Sequence, residues 1–210
     1  MEWLGRAVSL RGSKSSCRYN TSVRVNLELS GVLLVGGGST RFGSPKALAR
    51  FGGETLAERA WRILGEACEE RFAVGKAGEL ALPLPVLDDG SELRAPIVGV
   101  LAGLRAAVHE PVVFLPVDCP LVTPELLRAL GEARAVPQTG PLPGAYVKAD
   151  LPELERRLAA GELSLRGVNP NVLELDERPL ANANTPAELS ALEQDLAALD
   201  QDRPGLAVDS

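Results

Sequence analysis

Residues 31–46 read Gly-Val-Leu-Leu-Val-Gly-Gly-Gly-Ser-Thr-Arg-Phe-Gly-Ser-Pro-Lys. The first five residues form an uninterrupted apolar run, which predicts a buried β-strand. The glycines that follow let the backbone turn sharply at the strand end and bring bare N–H groups close to a bound anion. Arg41 and Lys46 add full positive charges to those amides, which suits a triphosphate. The stretch therefore predicts a strand followed by an anion-binding turn.

This turn matches neither of the two commonest phosphate-binding patterns. The P-loop places its lysine directly after the second glycine, whereas Ser44 and Pro45 separate Gly43 from Lys46. The dinucleotide-binding pattern Gly-x-Gly-x-x-Gly, started at Gly36, requires glycine where Arg41 stands. A glycine-rich turn after a strand is often purely structural, but the two cations favour a phosphate site.

A second stretch, residues 111–120, reads Pro-Val-Val-Phe-Leu-Pro-Val-Asp-Cys-Pro. Its apolar run predicts a central strand of a parallel sheet, and an acid at the carboxyl end of such a strand faces the ligand crevice. Asp118 is thus placed to hold Mg²⁺, which binds through one or two carboxylates plus substrate phosphate oxygens. An aspartate here could instead cap the next helix, but Thr123 before Pro124 already fills that role. The sequence therefore favours Asp118 as a metal ligand.

Strand and helix patterns alternate along the rest of the chain, which predicts an α/β fold with a right-handed, mostly parallel sheet. Thr55 and Glu58 form a capping box that opens one helix, and Thr185 and Glu188 form another. Asp150 is expected to cap the helix that follows it. The further predicted helices cover residues 100–108 and 151–160, and the further strands cover 71–74, 85–87, 133–137, 144–148 and 172–175.

Length and composition predict one globular domain without a membrane segment. The 210 residues suit a single core, and 45% hydrophobic with 24% charged residues is ordinary for a soluble protein. No run approaches the roughly 18 apolar residues of a membrane helix. The net charge of −6 and the 4% aromatic content disfavour a nucleic-acid partner. We expect an unstructured extension over residues 1–28, a folded domain over 29–199 and a flexible tail over 200–210.

The cysteines and the histidine limit the reaction mechanisms that the chain can support. Cys17, Cys68 and Cys119 lie far apart and form no Cys-x-x-Cys pair, which favours a reducing, cytoplasmic compartment and disfavours a zinc site. His109 is the only histidine, so a Ser-His-Asp or Cys-His mechanism is disfavoured. These counts favour chemistry that depends on a metal ion and on positioning.

Four segments resemble the molybdenum cofactor guanylyltransferases (the MobA type) and their nucleotidyltransferase relatives. Residues 34–46 are similar to the family signature Leu-Ala-Gly-Gly-x-Ser-x-Arg-Met/Phe-Gly-x-x-Lys, with Val35 in place of alanine. Residues 95–99 resemble a Gly-Pro-Leu-x-Gly segment, with Ala95 in place of glycine. Residues 118–126 follow the family's Asp-x-Pro segment, and residues 182–189 its Asn-x-Asn-Thr-Pro ending. The resemblance implies a Rossmann-like three-layer sandwich.

The resemblance also implies transfer of GMP from GTP to the phosphate of molybdopterin, with Mg²⁺ as cofactor. Arg41, Lys46 and Asp118 would be the catalytic residues, and Asp118 would hold the metal. Asn182 and Asn184 would contact the acceptor or support the site. Asp89 matches the nucleotide-contacting acid better than Asp88, although an Asp-Asp-Gly turn needs no function. The implied nucleotide-binding residues are Leu34, Val35, Gly36, Gly37, Arg41, Lys46, Asp88, Asp89 and Asp118.

One departure leaves the choice of base open. The family tends to show a nucleotide-contacting asparagine where this chain has Gly75. A related enzyme that uses CTP or another acceptor, such as molybdopterin cytidylyl, sugar-phosphate or isoprenoid-phosphate transfer, therefore stays an alternative. A non-catalytic nucleotide-binding module is a third, which Lys46 and Asp118 disfavour. Proteins of cofactor synthesis and molybdoenzymes are expected as transient partners.

Overall fold

The fold was taken from a computed structural model, which describes residues 27–36, 45–76, 78 and 82–201. Its regular elements follow one another as strands and helices in the alternation predicted from the sequence. In chain order they are β1 (Ser30–Leu34), β2 (Arg50–Phe51), β3 (Glu54–Thr55), α1 (Leu56–Ala67), β4 (Glu70–Gly75), β5 (Val86–Asp88), α2 (Pro96–Ala106), β6 (Val112–Pro116), α3 (Pro124–Ala133), β7 (Val136–Pro137), β8 (Gly144–Tyr146), α4 (Leu151–Ala159), β9 (Val172–Leu173) and α5 (Pro186–Gln201).

The central sheet has five strands in the spatial order β5–β4–β1–β6–β8. The first four strands of this order are parallel, and β8 pairs antiparallel with β6, which confirms the predicted mostly parallel sheet. Leu34, the last residue of β1, lies opposite Val74 on β4 and Pro116 on β6. The carboxyl ends of these three strands therefore meet at one edge of the sheet.

Helices cover both faces of the sheet, because alternate strand residues point to opposite sides. Val32 of β1 packs with α2 and α4 on one face, whereas Leu33 packs with α1 and α3 on the other. All five residues of β1 are buried. The result is the predicted three-layer sandwich.

A third, smaller cluster of buried residues joins the β2–β3 hairpin to the segment before α5. It contains Phe51, Leu56, Ala183 and Leu189. The hairpin turns at Gly52 and Gly53, whose φ angles of +61° and +86° favour glycine. This cluster brings residues 182–185 to the edge of the sheet where β1 and β6 end.

Helix α2 differs from its prediction because it begins at Pro96 rather than at residue 100. Gly99 suggested a helix start after it, but it lies inside the helix and against the sheet. A Cβ atom at Gly99 would lie 2.8 Å from Leu34 Cδ2, so glycine lets the helix approach β1 closely. Pro96 occupies the first turn, where a missing N–H is tolerated.

Asp150 is the N-cap residue of α4, as predicted, but its side chain makes no capping hydrogen bond. A one-turn 3₁₀ helix, Lys148–Asp150, runs directly into α4, so the backbone of Asp150 is already helical, with φ −81° and ψ −14°. Its Oδ2 accepts a hydrogen bond from Val147 N at 2.9 Å, which lies before the 3₁₀ helix and not in the first turn of α4. The predicted strands at 133–137 and 172–175 are also shorter, because α3 extends to Ala133 and β9 ends at Leu173.

The predicted extension and tail lie outside the described residues, except for residues 27–28 and 200–201. Within the described part of the chain, no helix has both the length and the apolar character needed to cross a membrane.

Candidate functional site

The predicted anion-binding turn begins at the carboxyl end of β1. Leu34 is buried, Val35 N donates to Val74 O at 3.0 Å, and Gly36 is exposed at the sheet edge. The strand therefore delivers Gly36 to the crevice, as expected for a ligand-binding turn of a parallel sheet. Gly37 and Arg41 lie outside the described residues.

Lys46 is the first residue of a one-turn 3₁₀ helix, Lys46–Leu48, which directly follows Pro45. Its Nζ lies 3.1 Å from Asp118 Oδ2 and 3.1 Å from Asn184 Oδ1. The side chains of Lys46 and Asp118 are only 13% and 23% exposed, so the ion pair is partly desolvated. Three residues assigned to the site from the sequence thus meet at one ammonium group.

Asp118, two residues after the end of β6, is held in place by two backbone hydrogen bonds. Val117 N donates to Leu34 O at 3.2 Å, which continues the pairing of β6 with β1. Asp118 O accepts from Ala183 N at 2.9 Å, which ties the end of β6 to the segment before α5. Thr123 Oγ1 accepts from Leu126 N at 3.3 Å and so caps α3, as predicted. The Asp118 carboxylate is therefore not used as that helix cap.

Cys119 links Asp118 to Asn182, a contact that the sequence analysis missed. Its Sγ lies 3.2 Å from Asn182 Oδ1 and 3.7 Å from Asp118 Oδ1. Burial, together with the neighbouring Asp118 charge, raises the pKa of the Cys119 thiol well above its usual value. The thiol therefore keeps its proton and donates it. Its only sequence signal was its place between the aspartate and the proline.

The capping box predicted before α5 forms only in part. Glu188 N donates to Thr185 Oγ1 at 3.2 Å, as expected. The Glu188 carboxylate, however, accepts from Asn184 N at 2.6 Å rather than from Thr185 N. This displaced contact anchors the backbone of Asn184, whose side chain reaches Lys46.

Asp88 and Asp89 lie at the end of β5, which is separated from β1 by β4. Asp88 is exposed, and its Oδ1 accepts from Gly90 N at 2.8 Å. Asp89 is ion-paired with Lys76 at 2.7 Å, and the side chains of the pair are 8% and 13% exposed. Sequence reasoning did not single out Lys76, because a lysine after a strand gives no sign that it is buried.

The oxygen atoms around Lys46 fit a hard divalent cation. Asp118 Oδ2 and Asn184 Oδ1 converge on one positive centre, and such oxygen ligands suit Mg²⁺ or Mn²⁺. Among the described residues, no group of three or more His, Cys, Asp and Glu side chains could hold a metal ion. A cation at Asp118 would therefore need ligands from a bound nucleotide or from water.

Comparison with known proteins gives the same assignment as the motifs. Residues 31–168 match the model of a family described as "MobA-like NTP transferase domain". A probable molybdenum cofactor guanylyltransferase from Deinococcus radiodurans is 36% identical over 183 residues, covering 79% of this chain and 94% of that protein.

Solved structures share the fold. Molybdopterin-guanine dinucleotide biosynthesis protein A from Archaeoglobus fulgidus matches with a TM-score of 0.67 and 23% identity, covering 80% of this chain and 99% of that one. Rv0371c from Mycobacterium tuberculosis, solved in complex with manganese, matches with a TM-score of 0.51 and 17% identity, covering 80% and 98%. The fold, the motifs and the family match agree, and the chain belongs to the family of MobA-like NTP transferases.

Proposed function

We propose that this protein transfers GMP from GTP to the phosphate of molybdopterin and releases pyrophosphate. The observation that carries the proposal is the meeting of Lys46, Asp118 and Asn184 at one point of the crevice. These residues come from three of the motifs that resemble the guanylyltransferases. The name of the Deinococcus relative supports guanylyl transfer rather than cytidylyl transfer.

The chain's cations would hold the leaving group. Lys46, with Arg41 and the amides of Gly36 and Gly37, would bind the β- and γ-phosphates of GTP. A phosphate oxygen of molybdopterin then attacks the α-phosphorus, and the bond from that phosphorus to the bridging oxygen of the β-phosphate breaks. Negative charge grows on the departing pyrophosphate, where preorganised cations and N–H donors stabilise it.

Asp118 is the proposed metal-binding residue, and Asn184 Oδ1 is a further oxygen that contacts Lys46. A divalent ion, which we propose is Mg²⁺, would supply positive charge that offsets repulsion between the two phosphates. The acceptor phosphate is already ionised and pyrophosphate leaves without a proton. No general base is therefore required, which suits a chain with one histidine.

The remaining assigned residues would bind the two organic parts of the substrates. Leu34, Val35, Asp88 and Asp89 lie along the edge toward β5, where the nucleoside would extend from the phosphates. Asn182 and Asn184 lie beside Asp118, where the acceptor phosphate would enter. The cysteine usage indicates a reducing compartment, and we place the reaction in the cytoplasm. Transient contacts with cofactor-synthesis proteins and molybdoenzymes are part of the proposal.

The test is pyrophosphate release in the presence of Mg²⁺ and molybdopterin, with GTP, CTP, ATP and UTP supplied in turn. We expect release with GTP well above that with the other three, together with a guanylylated product detected by mass spectrometry. A preference for CTP would contradict guanylyl transfer. GTP binding without pyrophosphate release would instead indicate a non-catalytic module.

A further inference from the structure

A buried ion pair at the carboxyl ends of β4 and β5 has no part in the phosphate chemistry above. Lys76 directly follows β4, and its Nζ lies 2.7 Å from Asp89 Oδ1. The Lys76 ammonium also donates to the carbonyl oxygen of Ser91. A lysine with only 13% of its side chain exposed loses most of its hydration, so these partners fix its position.

Lys76 leaves the two oxygens of the Asp89 carboxylate in different surroundings. Oδ1 accepts from Lys76 Nζ and from Ser91 N at 3.0 Å, and Asp89 N donates to Gly75 O at 3.0 Å. Oδ2 accepts no hydrogen bond from any described residue. No buried side-chain nitrogen or oxygen in the described part of the chain lacks a partner. Oδ2 therefore lies at the small exposed part of the side chain, where it can accept from a ligand.

The position of Asp89 along the sheet edge suits the nucleoside rather than the phosphates. The strand order is β5–β4–β1–β6, and neighbouring strands lie about 4.8 Å apart. Two such steps put the end of β5 roughly 10 Å from the turn after β1. A nucleotide with its phosphates at β1 and β6 therefore carries its sugar and base over β4 and β5. A Cβ atom at Gly75 would lie 2.8 Å from Val35 Cγ2, so β4 keeps a bare backbone there.

We propose that Lys76 is a positioning residue for nucleoside recognition: it fixes Asp89 so that Oδ2 accepts a hydrogen bond from the nucleoside of GTP. An ionised carboxylate is an acceptor only, so it selects N–H or O–H donors. Guanine offers its N1–H and 2-amino group, and ribose offers its hydroxyls. The proposal rests on the proposed function in that GTP is the nucleotide.

The first test measures GTP affinity by isothermal titration calorimetry, with Mg²⁺ and without molybdopterin. Lys76→Met removes the ammonium but keeps an apolar stem, and we expect the Kd for GTP to rise about tenfold or more, as for loss of a hydrogen bond to a charged group. Lys76→Arg keeps the cation and should recover most of the affinity. In turnover, KM for GTP should rise while kcat stays within about twofold, because the contact is the same in the ground and transition states.

A matched control is the ion pair of Arg157 with Glu153 on α4. Its Nε lies 2.7 Å from Glu153, its NH1 group donates to two backbone carbonyls, and its side chain is 16% exposed. Arg157→Met should lower thermal stability without changing the Kd for GTP. An equal rise in Kd for Arg157→Met and Lys76→Met would show a general loss of structure and overturn the proposal.

The second test uses Asp89→Asn with ITP, which lacks the 2-amino group, and with 2′-deoxy-GTP. Lys76 and Ser91 N both donate to the inner oxygen, so the amide must turn its own oxygen inward and present its NH₂ to the ligand. The variant should therefore lose affinity for GTP but keep it for an analogue that lacks the contacted donor. Unchanged affinity for ITP identifies the 2-amino group, and unchanged affinity for 2′-deoxy-GTP identifies the 2′-hydroxyl. An equal loss for all three nucleotides identifies a donor that they share, which is N1–H or the 3′-hydroxyl.

Two results separate this proposal from the proposed function. Unchanged Kd values for GTP and both analogues in Lys76→Met and Asp89→Asn would overturn the role of Lys76, even if the parent protein transfers GMP. If the parent binds GTP but transfers nothing, guanylyl transfer fails. The Kd comparison still decides the role of Lys76.

Discussion

The Asp118→Asn substitution should change GTP affinity in opposite directions with and without Mg²⁺. In the structure the Asp118 carboxylate lies 3.1 Å from Lys46 Nζ, the cation assigned to the triphosphate. Without a divalent ion, a nucleotide must compete with that carboxylate for Lys46 and is repelled by it. With the proposed ion bound, the carboxylate would become a metal ligand that helps to hold the nucleotide.

The distance sets the size of the effect. At 3.1 Å, Coulomb's law gives an attraction of about 5 kcal/mol at an effective dielectric constant of about 20, and about 1.3 kcal/mol in bulk water. Both side chains are partly exposed, so the attraction lies between these limits. Even the lower limit corresponds to about tenfold in Kd. We therefore expect Asp118→Asn to bind GTP about tenfold more tightly or better in EDTA. With Mg²⁺ it should bind weakly and lose turnover.

The assay is calorimetric titration of GTP into both proteins, in EDTA and in Mg²⁺. Glu132→Gln is the control, because it removes the same charge from an exposed position on α3. Its affinities should stay at the parent values in both buffers. Weaker binding by Asp118→Asn in EDTA as well as in Mg²⁺ would refute the competition between Asp118 and the phosphates for Lys46.

Three further substitutions test other parts of the site and the fold. Lys46→Ala should raise the Kd for GTP roughly 10- to 100-fold, as for loss of a charge-assisted hydrogen bond; an unchanged Kd by calorimetry would mean that the phosphates bind elsewhere. Cys119→Ala should raise KM for molybdopterin a few-fold and leave the Kd for GTP unchanged, because Asn182 loses the thiol that orients it. Cys119→Ser should restore the parent KM. A raised Kd for GTP with an unchanged KM for molybdopterin would contradict a role for Asn182 in binding the acceptor. Burial raises the pKa of Asp150 above its usual 3.8, so its ionised form destabilises the fold as pH rises through that pKa. Asp150→Asn should therefore raise the thermal midpoint at pH 7 but not near pH 3, and a gain of equal size at both pH values would refute the charge effect.

Structural features that depend on only a few adjacent residues could be predicted from the sequence. The apolar run before Gly36 predicts the bounds of β1 to within one residue, because five consecutive apolar residues are enough to identify a short buried strand. The capping box of Thr55 and Glu58 forms with both of its hydrogen bonds. Thr123 before Pro124 opens α3 as expected.

Features that depend on the order of strands in space could not be read in this way. Lys46 and Asp118 are 72 residues apart, and they meet because β6 pairs directly with β1 across the whole of β4, β5 and α2 in the chain. The family resemblance named both residues, but their contact follows from the sheet order. The Lys76–Asp89 pair is of the same kind, because β4 and β5 become neighbours only in the sheet.

The local errors have a common physical cause, which is competition between two uses of one residue. Gly99 acts as a close-packing position under Leu34 rather than as a helix boundary. Asp150 follows the pattern of a cap, but a preceding 3₁₀ turn has already supplied the start of α4. The Glu188 carboxylate accepts a hydrogen bond from Asn184 N, whereas a capping box would use Thr185 N. In each case the local sequence is compatible with two arrangements, and contacts with the rest of the fold stabilise one of them.

The Lys46–Asp118 pair also explains how a partly desolvated crevice can hold two opposite charges. A buried charge that loses its partner is strongly destabilising. Here each charge compensates the other at 3.1 Å. In the proposed reaction, the ammonium would turn to phosphate oxygens and the carboxylate to a divalent cation, so neither charge would be left uncompensated. Asn184, which contacts Lys46 without a net charge, can hold the lysine during this exchange. Under the proposed function, a protein with a net charge of −6 would thus bind a triphosphate without a large basic surface.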